Sequence, residues 1–150
     1  MRQKDPDFAL LRLSPVARYA LSAASHLALQ AQGSVSGVEG IAGGRRLPVS
    51  FLPKILRRLA RRGLVTSRRG RTGGHALARP ARDISLAEIV RAVEMPHKGK
   101  RHCLLELRGC AEGTPCVIHH LAVGAEKKLW TALESTTLSA YARGLEGIRI

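Results

Sequence analysis

The run Ser50-Phe51-Leu52-Pro53-Lys54-Ile55-Leu56-Arg57-Arg58-Leu59-Ala60-Arg61-Arg62-Gly63 decides the fold. Leu52, Ile55, Leu56 and Leu59 stand at i, i+3, i+4 and i+7, the spacing of one buried stripe on an α-helix. Lys54, Arg57, Arg58, Arg61 and Arg62 take the other face and the end. Gly63 stops the helix. The chain then reads Leu64-Val65-Thr66-Ser67 as a short strand, Arg68-Arg69-Gly70-Arg71-Thr72-Gly73-Gly74 as a turn, and residues 75–78 as a second strand. A helix with a cationic face followed by a hairpin with a basic, glycine-rich tip outlines a winged helix-turn-helix. Such a helix fits the major groove of duplex DNA, and a slim tip carrying Arg68, Arg69 and Arg71 can reach the minor groove.

The flanking segments complete that outline. Residues 1–11 read as a flexible arm, and Ser14-Pro15 as the N-cap and first position of a helix. Val16, Tyr19, Ala20, Ala23 and Leu27 carry that helix to about residue 31, before Gly33. Ser36-Gly37-Val38-Glu39 has the spacing of a capping box and predicts a short second helix with Ser36 as its cap, weakened by Gly40, Gly43 and Gly44. Ser85-Leu86-Ala87-Glu88 is a second such box, opening a helix whose stripe is Leu86, Ile89, Val90 and Val93. Farther on, Ile118, Ala122, Ala125, Leu129 and Ala132 are spaced 4, 3, 4 and 3. That is the coiled-coil period, so a long helix over 117–135 is expected to pair along Ile118, Ala122, Ala125 and Leu129 with its counterpart in a homodimer. Thr136 or Thr137 can cap a last helix over 138–143.

The expected fold is thus mainly α with one small β-hairpin. Residues 1–11 form the arm, 12–95 the winged helix-turn-helix domain, 96–116 a cysteine-rich loop, and 117–150 the dimerisation helix and tail.

Charge and composition narrow the partner. Among 150 residues, 25 Lys and Arg stand against 11 Asp and Glu, a formal net charge of +14, which calls for a polyanion. A merely solvated surface is the plainer reading of any single arginine. For the cationic helix and hairpin together, with no acidic residue between Glu39 and Asp83, a polyanion is the better one. The five aromatic residues, Phe8, Tyr19, Phe51, Trp130 and Tyr141, are too scattered to stack single-stranded bases, which favours duplex DNA. No apolar run is long enough to span a membrane, and Asp5, Pro6 and Asp7 interrupt any signal peptide, so a cytoplasmic location is expected. Nothing in the sequence points to an enzyme: no carboxylate pair, nucleophile–base set or phosphate-binding glycine motif stands at usable spacing.

The chemistry is concentrated in Cys103-x6-Cys110-x5-Cys116-x2-His119, which holds all 3 cysteines of the chain. Thiolates and imidazole are the donors that zinc and iron–sulfur clusters prefer, and four of them can close a tetrahedral site. In a reducing compartment an odd number of clustered cysteines reads as metal ligands or redox thiols rather than structural disulfides. Spacing alone leaves zinc, an iron–sulfur cluster and a cofactor-free thiol switch open. Cys-x2-His puts His119 on the helical face of Cys116 and makes it the preferred fourth ligand over His120.

Taken together, Ile41-Ala42, the stretch from Leu47 through Leu56, Leu59, Gly63-Leu64-Val65-Thr66-Ser67, the Arg68-Arg69-Gly70-Arg71-Thr72-Gly73-Gly74 wing, Leu77 and Ile84-Ser85-Leu86 resemble the IscR, NsrR and RirA family of bacterial regulators over about residues 12–145. The resemblance implies a homodimeric repressor that reads a pseudo-palindromic operator and holds an iron–sulfur cluster, 2Fe-2S in preference to 4Fe-4S, near the dimer interface. It implies that Ser50 and Phe51 begin the recognition helix, with Lys54, Arg57 and Arg58 on the DNA side, and that Arg69 enters the minor groove. It also assigns Cys103, Cys110 and Cys116 as thiolate ligands, with His119 as the fourth. Iron, cluster supply or redox and nitrosative stress would be the signal. The alternatives are a thiol-switch regulator without cofactor and a structural-zinc DNA-binding protein that senses nothing. Two departures stand out. Pro53 replaces a polar, DNA-facing residue, which the helix tolerates if Ser50 is its cap and which kinks it if the helix starts at Pro48. Arg18 stands where one branch of the family has a liganding aspartate.

Overall fold

The computed structural model describes residues 13–31, 33–94, 110 and 115–145. The expected arm at 1–11 and Cys103 lie outside the described residues. Along the chain run α1 (Pro15–Ala28), α2 (Val38–Arg45), a 3-10 turn (Val49–Phe51), α3 (Leu52–Arg61), β1 (Val65–Arg68), β2 (Gly74–Leu77), α4 (Leu86–Val93), α5 (Val117–Ser135) and α6 (Leu138–Gly144). The molecule is mainly helical with one antiparallel hairpin, as the sequence pattern requires.

Helix α1 starts where Ser14 Oγ accepts the Ala17 N–H at 3.0 Å, with Pro15 in the first turn where a missing donor costs nothing. It ends at Ala28, a turn earlier than its apolar spacing suggested. Its role is central rather than one-sided. Ala17, Ala20, Ala23 and Ala24 are buried along with Leu21 and Leu27, and their small side chains let α2, α3, α4 and α6 pack around the same axis. Alanine periodicity is a weak signal of which face is buried, so the sequence did not reveal that this helix is enclosed.

The expected capping box at Ser36 does not form. Gly37 is the N-cap of α2 and makes no side-chain cap, while the Ser36 backbone is taken by the wing: its N–H donates to the His75 carbonyl and its carbonyl accepts the His75 N–H, both at 2.9 Å. The box at Ser85 forms as expected, with Ser85 Oγ accepting the Glu88 N–H at 3.3 Å and Glu88 Oε2 accepting the Ser85 N–H at 2.9 Å. Burial pushes the Glu88 carboxyl up, but the hydrogen bond from the Ser85 backbone and the Arg79 guanidinium outweigh it and hold Glu88 below the usual carboxylate range.

After α5 the chain returns to the helices of the N-terminal half. Thr137 Oγ1 caps α6 by accepting the Ala140 N–H at 3.2 Å. The segment before α6 zips onto the segment before α4, through Leu86 N–H to the Thr136 carbonyl at 3.0 Å and Leu138 N–H to the Ile84 carbonyl at 2.8 Å. Leu138 and Ala142 are buried, and α6 packs on α1, so α6 is part of the winged-helix core rather than a tail. Helix α5 packs on α4 with its C-terminal half. There Leu133 is buried and Leu129 and Trp130 lean on the same core. This corrects one expected dimer residue: Leu129 is engaged by its own chain. Ala122 and Ala125 are half-buried, whereas Val117, Ile118 and Leu121 at the other end are 74%, 38% and 64% exposed.

Candidate DNA interface and cysteine site

The recognition helix is entered through the 3-10 turn, which contains Ser50, and Phe51 is the N-cap of α3. Pro53 therefore falls in the first turn, where its missing N–H and fixed φ are tolerated, and no kink is needed. Tyr19 of α1 props the entry: its ring lies 6.3 Å from that of Phe51, which stays 53% exposed. Leu52, Ile55, Leu56 and Leu59 are all buried, which pins α3 and turns Lys54, Arg57 and Arg61 outward on one stripe. Gly63, at φ +67°, ends the helix in a Schellman motif, with Leu64 N–H on the Leu59 carbonyl at 3.1 Å and Gly63 N–H on the Ala60 carbonyl at 3.0 Å.

Arg58 departs from the expectation that it faces DNA. It is half-buried, and its Nη1 donates to the Val93 carbonyl oxygen at 2.5 Å, at the C-terminal end of α4. Lys54, Arg57, Arg68, Arg69 and Arg71 are exposed and form no ion pair with any described residue. Those five side chains are available to a polyanion.

The first strand of the wing lies one residue later than the sequence pattern placed it and the second one residue earlier, with Val65 opposite Leu77 and Arg68 opposite Gly74. The wing is anchored at His75. Ser36 pairs with His75 as a third, one-residue strand, and the Ser67 hydroxyl lies 3.0 Å from His75 Nδ1. Burial lowers the His75 pKa from its ordinary value of 6.5, so the ring is neutral at physiological pH and adds no charge inside the wing. The tip turns at Gly70, φ +109°, and closes with Gly73 N–H on the Gly70 carbonyl at 2.9 Å. A Cβ on Gly73 would stand 2.3 Å from the Arg68 carbonyl oxygen, a backbone atom that cannot step aside. Gly73→Ala is therefore expected to open the tip, at a cost of about 1–3 kcal/mol of local strain. The measurable result is weaker DNA binding together with a fall in melting temperature of a few degrees and unchanged helical content, since the tip touches none of the core. Unchanged DNA affinity would show that the tip does not contact DNA.

At the cysteine site, Cys116 is the N-cap of α5 and Cys110 is buried beside it. Their sulfurs are 3.5 Å apart, and the Cys116 backbone N–H donates to Cys110 Sγ at 3.4 Å. Two thiolates on one tetrahedral ion at about 2.3 Å each lie about 3.8 Å apart, slightly farther than these two sulfurs. His119 is half-buried one turn into α5, and His120 is exposed with its ring 6.2 Å away. Among the described residues no group of three or more His, Cys, Asp or Glu converges as a metal site, and Cys103, which the sequence assigns as a ligand, lies outside them.

The sequence profile of the Rrf2 family, described as iron-dependent transcriptional regulators, matches residues 13–143. The chain belongs to the Rrf2 family. The HTH-type transcriptional regulator IscR of Xenorhabdus nematophila is 31% identical over 136 residues, covering 91% of this chain and 82% of that protein. An HTH-type transcriptional regulator of Mycobacterium tuberculosis is 41% identical over 86 residues, and the match spans about half of its length, 53%, and 57% of this chain. Among solved structures, T. potens IscR superposes with a TM-score of 0.72 at 26% identity, over 93% of this chain and 92% of that one. The oxidized form of Staphylococcus aureus CymR gives 0.71 at 25% identity, over 88% and 96%. These relatives are regulators and not enzymes.

Seen as an Rrf2 protein, the chain has several site-shaping residues that sequence reasoning passed over. Tyr19 has the spacing of one more core residue of α1, yet it supports Phe51. Ser36 has the spacing of a helix cap, yet it holds the wing root. Arg91 was not singled out, although its guanidinium sits 5.0 Å from the Trp130 ring centroid and pairs with Glu134, tying α4 to α5. A cation two residues before the end of a short amphipathic helix is the only sequence signal it gives. No helix among the described residues is long and apolar enough to cross a membrane.

Proposed function

We propose that this protein is a homodimeric DNA-binding transcriptional repressor that senses iron, cluster supply or redox and nitrosative stress through an iron–sulfur cluster. The observation that carries the proposal is the pairing of Cys110 and Cys116 at ligand spacing at the start of α5, in a chain whose α3 and wing display unpaired cations. The iron-dependent description of the family supports it. Cys103, Cys110 and Cys116 would supply the thiolates and His119 the fourth ligand, and a 2Fe-2S cluster fits three thiolates and one imidazole. When bound, such a cluster supplies a redox-active, oxygen-labile group whose loss signals stress. The protein's own residues do the rest. Lys54, Arg57 and the α3 N-terminus with Ser50 and Phe51 address the major groove. Arg68, Arg69 and Arg71 address phosphate and minor groove, and the exposed apolar end of α5 receives the partner's.

Arg69 is the wing residue expected to matter most. Arg69→Ala should weaken operator binding by about 1–3 kcal/mol if its side chain lies in a narrow minor groove. Binding should also fall steeply with salt, since each phosphate contact releases counterions. A flat salt titration, or an Arg69→Ala protein with wild-type affinity, contradicts this assignment. Anaerobic purification followed by an absorption spectrum and by iron, sulfide and zinc analysis tests the cofactor. One zinc per chain and no colour would make the site structural.

A second reading is favoured by the sulfur contact and by the likeness to the oxidized form of CymR. Here Cys110 and Cys116 are a thiol switch with no cofactor. A colourless, metal-free protein whose operator affinity responds to a mild oxidant would establish that reading in place of the cluster.

A further inference from the structure

Arg58 occupies the border of the recognition helix. At about 100° per residue it lies about 40° around the helix from Lys54 and about 60° from Ile55, between the cationic stripe and the buried one. Its guanidinium reaches α4, where the last carbonyls have no partner within the helix, and donates to that of Val93 at 2.5 Å. Helix α4 is in turn bound to α5 by Arg91, which lies over Trp130 and pairs with Glu134. Helix α5 opens at Cys116, whose sulfur touches that of Cys110. The described residues thus form one continuous series of contacts from the cysteine pair, along α5, across Arg91 into α4, and from the end of α4 through Arg58 into the middle of α3.

We propose that Arg58 is a positioning residue rather than a phosphate contact: it clamps the recognition helix to the C-terminus of α4 and carries the state of the cysteine site to the DNA-reading face. The proposal rests on the DNA-binding and sensing function argued above. Coupling requires an element that both sites bias. The end of α4 meets that requirement, because α5 fixes α4 from one side through Arg91 and Arg58 fixes α3 to it from the other.

The test uses the full-length protein in cluster-loaded and cluster-free forms, with a DNA duplex selected from a random library by the wild type. Affinity is measured across a range of salt concentrations for wild type, Arg57→Gln, Arg58→Gln and Arg58→Lys. Arg57→Gln should reduce the slope of log affinity against log salt by about one, the mark of a lost phosphate contact. Arg58→Gln should leave the slope unchanged and shrink the affinity ratio between the two forms at least fivefold. Arg58→Lys, which can still donate to the carbonyl, should restore at least half of the lost ratio on a logarithmic scale. A slope reduced by about one with the ratio intact makes Arg58 a phosphate contact and overturns the proposal. A lower melting temperature with slope and ratio both intact makes it a structural cap and overturns it equally. Should Arg58→Gln fail to fold, Arg91→Gln breaks the same series at the α4–α5 link and must also shrink the ratio; an unchanged ratio there overturns the proposal. If the wild type binds equally in both forms, the sensing function itself fails, visibly and before any variant is examined. The salt slopes then still decide whether Arg58 touches phosphate.

Discussion

Replacement of Cys110 by alanine is expected to give a colourless protein from the same anaerobic preparation that gives a coloured wild type, with iron and sulfide falling to background. Cys110 is the buried member of the sulfur pair, 5% exposed, and the Cys116 N–H donates to it, so no solvent-borne ligand can take its place without rebuilding the start of α5. Loss of one of three thiolates leaves too few strong donors to hold the iron. The fold should persist, because the core that joins α1, α3, α4 and α6 is assembled from other residues, and helical circular dichroism is the check. His119→Ala should behave differently. An imidazole ligand can be replaced by water or by His120, leaving a cluster that forms but decays faster in air and acid. A Cys110→Ala protein that keeps its visible spectrum and iron would remove Cys110 from the ligand set and with it the cluster reading of this site.

How far the sequence alone reached depended on the range of each interaction. The recognition helix, both wing strands to within one residue, the box at Ser85-Glu88 and the bounds of α5 were legible because local patterns decide them: apolar spacing in α3, glycines at the wing, a serine and a glutamate three apart. Ser36 failed because two local possibilities competed and a distant partner chose between them. Its capping-box spacing is real, but His75 offers two backbone hydrogen bonds, which outweigh one side-chain cap. Arg58 was misassigned for a related reason. Its charge and helical position match those of Arg57, and only the end of α4, thirty-five positions along the chain, separates their roles. Leu129 fits the coiled-coil period as well as Ile118 does. Its burial against the core comes from the hydrogen-bonded pairing of 84–86 with 136–138, which draws the end of α5 onto α4.

The misplacement of Leu129 shifts the expected dimer contact toward the first turns of α5, and there the second large effect is expected. Val117, Ile118 and Leu121 form a single apolar stripe that continues into Ala122 and Ala125, and the stripe is wet in the isolated chain. Pairing it with its counterpart across a two-fold axis buries Val117, Ile118 and Leu121 and lets the alanines bring the helices close. Leu121→Glu sets two carboxylates against each other in that seam, unpaired and desolvated, and the dimer should separate into folded monomers. The effect on DNA binding should be larger than that of any single contact. A dimer engages its second half-site as an intramolecular event, an advantage of about 10²–10⁴ in affinity that a monomer forfeits. Lys127→Glu, exposed on the same helix but on the face away from the stripe, controls for the added negative charge. Sedimentation velocity should show wild type and Lys127→Glu as dimers and Leu121→Glu as a monomer with unchanged helical content, and operator titration should show the corresponding collapse. A Leu121→Glu protein that remains dimeric places the interface elsewhere, and a monomeric wild type means that the stripe on α5 covers something other than its own copy.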